Sequence, residues 1–224
     1  MKIILTGATG MVGEGVLIEC MTHPQIEEIL CVSRKTSGVF HPKVKEYLIP
    51  ELLDILDDDQ HLRGYDACFF CAGISSAGMN ELDYTRTTYE ITTHFASVFV
   101  KLNPNSVFCY ISGQMTDSSE NGKLMWACVK GRTENALKLM PFRKQYNFRP
   151  GLMRPTDGQK NIRGYNRFYT KLYVVIHFIA PSYTISLKEV ALAMINCALN
   201  DYPSNVLEMK DIKLAAKDNW QWIL

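Results

Sequence analysis

The sequence predicts an α/β domain: a doubly wound, mostly parallel sheet with helices on both faces and a small C-terminal extension. Three observations predict it. Short aliphatic runs alternate with longer helical patterns along the whole chain. Those runs are apolar at nearly every position, as strands are when both sheet faces are covered. A glycine-spaced loop joins the first run to the first helical pattern.

Lys2 to Thr6 is a β-branched and aliphatic run, followed by glycines and a helical pattern from Met11 to about Met21. Glu28 to Ser33 reads as a second buried strand, and Val44 to Ile49 as a weaker one. Glu51 to Arg63 looks helical and acidic. Asp66 to Cys71 is a continuous apolar strand that ends at Ala72-Gly73. Glu81 to Leu102 reads as one long helix, with Ile91, Phe95, Val98, Phe99 and Leu102 on its apolar stripe and Asn103-Pro104-Asn105 as its stop. Ser106 to Ile111 is another strand and Leu124 to Leu139 another helix. Tyr146-Asn147-Phe148 then leads into Arg149-Pro150-Gly151. Helices around Asn166 to Phe178 and from Leu187 to Leu199, and a strand near Val206 to Met209, complete the chain.

The 224 residues suffice for one domain with a buried core, so 1–224 is expected to be a single unit, with about 150–200 supplying the substrate side. A formal net charge of +1 gives no electrostatic argument for nucleic acid or an anionic membrane. Seven cysteines, an odd number set mostly in apolar runs, suit a reducing cytoplasm and no disulfide framework. Cys68 and Cys71 have metal-site spacing, but on a strand residues three apart face opposite ways, and no metal is expected. The most apolar stretch, Leu172 to Ala180, falls far short of the roughly 20 residues that span a bilayer. It reads as a buried or interface helix; a membrane contact is not expected, and a homodimer stays open.

Gly7-Ala8-Thr9-Gly10-Met11-Val12-Gly13 carries the chemistry. Gly7 can turn sharply after the strand. Gly10 lets the backbone approach a pyrophosphate, and Gly13 lets the helix pack closely on the sheet. The helix N-terminus offers free N–H groups and a partial positive charge to phosphates. Thr9, Met11 and Val12 belong to this phosphate loop. The motif in this context points to a nicotinamide dinucleotide in a Rossmann-type site. At the end of the second strand, where a carboxylate would bind the adenosine ribose of NAD, the chain has Ser33-Arg34-Lys35. Arg34, with Lys35, can grip a 2′-phosphate. NADP(H) is therefore the expected cofactor, with NAD(H) as the alternative.

Thr6-Gly7-Ala8-Thr9-Gly10-Met11-Val12-Gly13 resembles the fingerprint of the extended and atypical short-chain dehydrogenases/reductases, the NAD-dependent epimerase/dehydratase type. The resemblance continues in chain order over roughly residues 2 to 200, and looks closest to the short branch of Tat-interacting-protein-like oxidoreductases. It implies that Cys71-Ala72-Gly73 forms a small-residue turn beside the adenosine. It implies that Ser112, in Tyr110-Ile111-Ser112, fills the active-site serine position, although Gly113 or Gln114 could occupy that register. Lys130, in Lys130-Gly131-Arg132-Thr133-Glu134, looks like the catalytic lysine. Pro150-Gly151 and Met153 are similar to the loop over the nicotinamide, and Ile185 to Ala191 to the start of the C-terminal helix.

One departure bears directly on activity. The family pairs its lysine with a tyrosine four residues earlier, whose phenol gives or takes the proton that accompanies hydride transfer. Here that position is Trp126, and an indole N–H donates a hydrogen bond but does not titrate usefully. Tyr84, Tyr89, Tyr165, Tyr169 and His177 are the candidate replacements, each also readable as ordinary packing. Asp117 and Glu120 read as solvated loop charges. Arg149, Arg154, Arg163 and Arg167 could bind an anionic substrate such as a nucleotide-sugar phosphate, or be surface charge with one structural ion pair. Met11, Met115, Met125 and Met153 read mainly as core filler.

The expectation is an NADP(H)-dependent oxidoreductase or epimerase acting on a small carbonyl or nucleotide-sugar-type substrate, with Ser112, Trp126 and Lys130 at its centre. A second reading is a catalytically weak or inactive NADP(H) sensor. A third is an interaction subunit that uses the Leu172 to Ala180 helix.

Overall fold

A computed structural model describes the backbone of residues 1–162 and 167–217, and the side chains of 1–162 and 173–217. Arg163, Tyr165, Trp220 and Trp222, and the side chains of Arg167 and Tyr169, lie outside the described residues.

The chain forms β1 (Lys2–Thr6), α1 (Met11–Thr22), β2 (Glu28–Ser33), β3 (Val44–Leu48), β4 (Ala67–Phe70), α2 (Glu81–Thr85), α3 (Ile91–Leu102), β5 (Val107–Ile111), α4 (Met125–Lys138), β6 (Lys144–Phe148), β7 (Leu152–Arg154), α5 (Arg167–Ile179), β8 (Thr184–Ser186), α6 (Leu187–Asn200), β9 (Val206–Leu207) and α7 (Met209–Ala215). Seven strands make one sheet in the order β3-β2-β1-β4-β5-β6-β9, and every neighbouring pair is parallel. β7 and β8 form a second, two-stranded parallel sheet. The order reverses between β1 and β4, the switch point where such sheets open a crevice at their carboxyl ends.

The apolar runs explain the layers. Ile3 and Leu5 of β1 face one cluster with Ile29, Cys31, Phe69, Val107 and Cys109, against Val16, Leu17 and Cys20 of α1 and Val190, Met194 and Cys197 of α6. Ile4 faces the other with Leu30, Val32, Cys68, Phe70 and Phe108, against Phe95, Val98, Phe99 and Leu102 of α3. Cys68 packs in the second cluster and Cys71 against the first, so the pair does point to opposite faces.

Several boundaries depart from expectation for identifiable reasons. Glu51 to Arg63 is not a helix: it holds two short 3₁₀ turns, Leu52–Asp54 and Gln60–Leu62. The Asp54 carboxylate accepts from the Glu51 N–H and the Asp59 carboxylate from the His61 N–H. Short acidic side chains that bond nearby backbone in this way favour turns over helix propagation. The helical stretch from Glu81 to Leu102 is interrupted by a π-helical segment, Arg86–Glu90. The expected strand near Val206 to Met209 stops at Leu207, because the Glu208/Asp211 capping box starts α7 there. α7 and the β7/β8 pair carry no strong sequence period and were not expected. α6 starts on a capping box in which Ser186 Oγ accepts from the Glu189 N–H while the Glu189 carboxylate accepts from Ser186 N–H.

Two glycines set the entry to α1. Gly7 has φ +72°, and a Cβ there would lie 2.6 Å from the Cys71 carbonyl oxygen. A Cβ on Gly13 would lie 2.1 Å from the Gly7 carbonyl oxygen and 2.4 Å from its carbon. Gly13→Ala is therefore expected to destabilise the fold by about 2 kcal/mol or more, since backbone must move to admit the methyl. Gly73→Ala, whose Cβ would enter open space, is expected to stay within about 0.5 kcal/mol of the parent. Denaturant unfolding of both variants checks this; equal stabilities would contradict the close approach.

Candidate functional site

The crevice is built from the carboxyl ends of β1, β2, β4, β5 and β6. Thr6, wholly buried at the end of β1, accepts the backbone N–H groups of Cys71 and Ala72, both at 3.1 Å. That single hydroxyl fixes the turn after β4 against the glycine loop. Gly10 caps α1 with extended backbone and no side-chain hydrogen bond. The first turn of α1 is thus left for a ligand to satisfy.

Thr9, Gly10, Met11, Arg34, Lys35, Thr36, Ser37 and Asn161 line one cavity of about 470 Å³. Among the described residues, neither the Arg34 guanidinium nor the Lys35 ammonium makes an ion pair, and both are exposed. An uncapped helix N-terminus, glycines and two unpaired cations in one cavity fit the phosphates of a dinucleotide.

Asn161 was not expected there. Its place follows from Glu14, a buried carboxylate that accepts the backbone N–H groups of Lys160 at 2.9 Å and Asn161 at 2.6 Å. Gln159 adds a bond from its amide to the Met11 carbonyl at 2.7 Å. The 156–161 segment is thereby strapped onto the first turn of α1. An acidic residue inside a glycine-rich helix start was the only sequence signal, and its partners lie some 146 residues away.

The other end of the crevice holds Ser112, Trp126 and Lys130. Ser112 is buried at the end of β5, with its hydroxyl 3.0 Å from that of Thr116. Thr116 donates its own proton to the Gly113 carbonyl at 2.7 Å, so Ser112 must be the donor to Thr116. Trp126 lies in the first turn of α4, its indole next to Gly113. Gln114 bonds through its N–H to the Pro150 carbonyl at 3.0 Å, and its side chain crowds Gly151. Met153, half-buried in β7, packs against the core.

Lys130 Nζ lies 3.4 Å from the Tyr110 hydroxyl and 3.3 Å from the Ile111 carbonyl, and 5.2 Å from the Tyr110 ring centroid. Lys130 keeps part of its surface exposed, yet burial of the amine lowers its pKa to about 8 against a smaller opposing effect of Glu134. The lysine therefore does have a tyrosine partner, contributed by β5 and not by α4. Burial drives the Tyr110 phenol far above its ordinary range, and the nearby Tyr84 and Glu134 add to this. Tyr110 is thus no substitute for an activated tyrosine. Tyr84 is buried as well and raised by that burial. Tyr89 is half-buried. His177 of α5 bonds the Thr184 hydroxyl at 2.8 Å and stacks on Tyr173.

Two further readings need correction, those of Asp117 and Met115. Arg149 takes the alternative of a structural ion pair: it bonds both oxygens of the buried Glu134 carboxylate, at 3.0 and 2.6 Å, and also Glu208 and Ser118. Arg154 is exposed. Asp117 is not a free loop charge; it accepts from the Ser119 N–H and hydroxyl and from the Gly122 N–H, and those hydrogen bonds hold its carboxyl below the usual range. Met115 is not core filler, being 69% exposed at φ +70°.

No protein-family model matches the chain, and no curated protein does. Solved structures do. The Bordetella bronchiseptica enzyme WbmF in complex with NAD+ aligns at TM-score 0.63 and 16% identity, over 93% of this chain and 72% of that one. UDP-glucuronic acid 4-epimerase from Bacillus cereus, in complex with NAD, aligns at 0.66 and 13%, over 93% and 78%. UDP-N-acetylglucosamine 4-epimerase from Methanobrevibacter ruminantium aligns at 0.67 and 17%, over 92% and 75%. At these identities the likeness shows the fold: a mostly parallel Rossmann-like sheet with flanking helices. Among the described residues no helix is long and apolar enough to cross a membrane.

A lysine lowered to about 8 carries a folded-state penalty below that pH, which fades as pH rises toward the unfolded value near 10.5. Lys130→Met is expected to be more stable than the parent at pH 7, by on the order of 1 kcal/mol after allowance for partial exposure. The gap should narrow between pH 8 and 10. A pH-independent gap in denaturant melts would contradict the buried-amine geometry.

Proposed function

We propose that this chain binds a nicotinamide dinucleotide, NADP(H) in preference to NAD(H), as an atypical member of the short-chain dehydrogenase/reductase superfamily. It acts on a small carbonyl or nucleotide-sugar-type substrate as a slow oxidoreductase or epimerase. The observation that carries this reading is the cavity in which the α1 N-terminus, Arg34 and Lys35 meet. Nucleotide-sugar epimerases solved with NAD share the fold, which supports the cofactor class and not the choice between NAD and NADP.

In this reading the N–H groups after Gly10 and the glycine loop hold the pyrophosphate, and Arg34 and Lys35 take the 2′-phosphate. Cys71, Ala72 and Gly73 flank the adenosine side. A bound nicotinamide supplies the hydride chemistry. Lys130 has three donors; two point at Tyr110 and Ile111, which leaves one for a ribose hydroxyl. Gln114, Pro150, Gly151 and Met153 wall the nicotinamide side. The Trp126 N–H can orient a carbonyl oxygen but gives it no proton. Loss of general acid catalysis typically removes a factor of about 10² to 10⁴ in rate.

A second reading, an NADP(H) sensor without turnover, is favoured by one observation. The Ser112 hydroxyl already bonds that of Thr116 at 3.0 Å, and the Trp126 indole N–H beside it donates without titrating.

Calorimetric titration is expected to show NADPH binding at least tenfold tighter than NADH, with Arg34→Ala losing about 10- to 100-fold in NADPH affinity, as one charge-assisted contact predicts. Equal or tighter NADH binding, or unchanged affinity in Arg34→Ala, would overturn the assignment. With Trp220 and Trp222 replaced by Phe, NADPH should quench Trp126 fluorescence. Oxidation of bound NADPH by aldehydes and ketones separates the two functions: turnover by the parent supports the enzyme, and turnover only after Trp126→Tyr supports the sensor.

A further inference from the structure

We propose that Glu46, on the edge strand β3, is the positioning residue for the choice between NADP and NAD. The inference rests on the reading that Arg34 and Lys35 receive a 2′-phosphate. Glu46 pairs across the ladder with Cys31 of β2, two residues before the strand ends at Ser33. Its carboxylate gathers the turn that follows. One oxygen accepts the Ser37 N–H and the Ser37 hydroxyl, both at 2.6 Å; the other accepts the Thr36 hydroxyl at 2.7 Å. The two hydroxyls are used a second time as acceptors. Ser37 Oγ takes the Val39 N–H at 3.2 Å, and Thr36 Oγ1 takes the Gly38 N–H at 3.0 Å. Gly38 turns with φ +68°, and Ser33 Oγ closes the near side on the Lys35 carbonyl at 2.7 Å.

The consequence lies in which groups are left over. Three of the roughly four acceptor directions of the carboxylate are filled by the turn. Arg34 and Lys35, in the same turn, make no ion pair with it and stay directed to solvent at the cavity that Thr36 and Ser37 also line. A carboxylate beside a phosphate site would ordinarily repel the phosphate and capture the arginine. Here its charge is taken up by short hydrogen bonds: burial pushes its carboxyl upward, and the bonds from Ser37 and Thr36 bring it to a net position below the usual range. Glu46 thus shapes the turn that aims the two cations, without itself touching the dinucleotide. NAD lacks the 2′-phosphate, so its affinity does not depend on where those cations point.

The test is calorimetric titration of NADPH and NADH against the parent, Glu46→Ala, Glu46→Gln and Arg34→Ala. Glu46→Ala should weaken NADPH about five- to tenfold and leave NADH within about twofold, the loss expected for one or two exposed hydrogen bonds. Glu46→Gln keeps one acceptor oxygen and should fall between it and the parent. A purely structural role would weaken both dinucleotides alike, which overturns the proposal. So does unchanged or tighter NADPH binding in Glu46→Ala, which would mean that the carboxylate only repels. A preference abolished by Arg34→Ala but intact in Glu46→Ala overturns this inference alone. A parent that shows no preference for NADPH overturns the underlying reading together with it.

Discussion

The site depends on how closely α1 approaches the sheet. The Gly13 Cα sits where a methyl would overlap the Gly7 carbonyl, and a methyl on Gly7 would press on the Cys71 carbonyl in the turn after β4. That double contact brings the first turn of a helix, with its unsatisfied N–H groups, to the switch point of a parallel sheet. The Thr6 hydroxyl ties the end of β1 to the turn after β4 by accepting from Cys71 and Ala72. Any side chain larger than hydrogen at Gly7 or Gly13 would push the helix away, and the cavity with it. The helix N-terminus is then an anion site at no further cost, because its donors are fixed before a ligand arrives.

Behind the other end of the crevice lies a buried polar layer. Glu134 is 3% exposed and is held by both arms of Arg149. Lys130 stands one helical turn earlier, over Tyr110. Breaking one partner of such a pair typically costs about 3–5 kcal/mol, because the other charge is left buried. The pair therefore anchors α4 to the end of β6, and with it the rotation of α4 that aims Trp126 and Lys130 toward the Ser112 loop. Among the described residues at this end of the crevice, burial pushes the Tyr110 and Tyr84 phenols above their ordinary range. Ionisation is instead available at the Lys130 amine, held near 8 by burial.

Much of this was legible in the residues. Strands that are apolar on both faces announce a covered parallel sheet, so β1, β2, β4 and β5 could be read almost to the residue. The glycine loop and Ser33-Arg34-Lys35 could be placed at the carboxyl ends of β1 and β2, where Thr9, Gly10, Met11, Arg34 and Lys35 line one cavity, because their signals are local to the chain. What was not legible depended on distant partners. Nothing local to Glu14 marks its partners, the backbone N–H groups of Lys160 and Asn161. Arg149 stayed open between a substrate contact and a structural ion pair, since nothing near it in sequence shows that Glu134 faces it. Tyr110 was hidden inside an apolar strand, where a tyrosine reads as bulk. Glu51 to Arg63 misled because acidic side chains that cap short turns have the same composition as a helix face.

The central claim is that the amides after β1 hold a pyrophosphate while Arg34 takes the phosphate on the adenosine ribose. A crystal structure of the protein grown with millimolar NADPH tests it most directly. The account predicts pyrophosphate oxygens within hydrogen-bond distance of backbone N–H groups in Gly10 to Gly13, and the 2′-phosphate against Arg34. A crevice that stays empty at that concentration, or a dinucleotide whose adenosine phosphate lies away from Arg34, would contradict it.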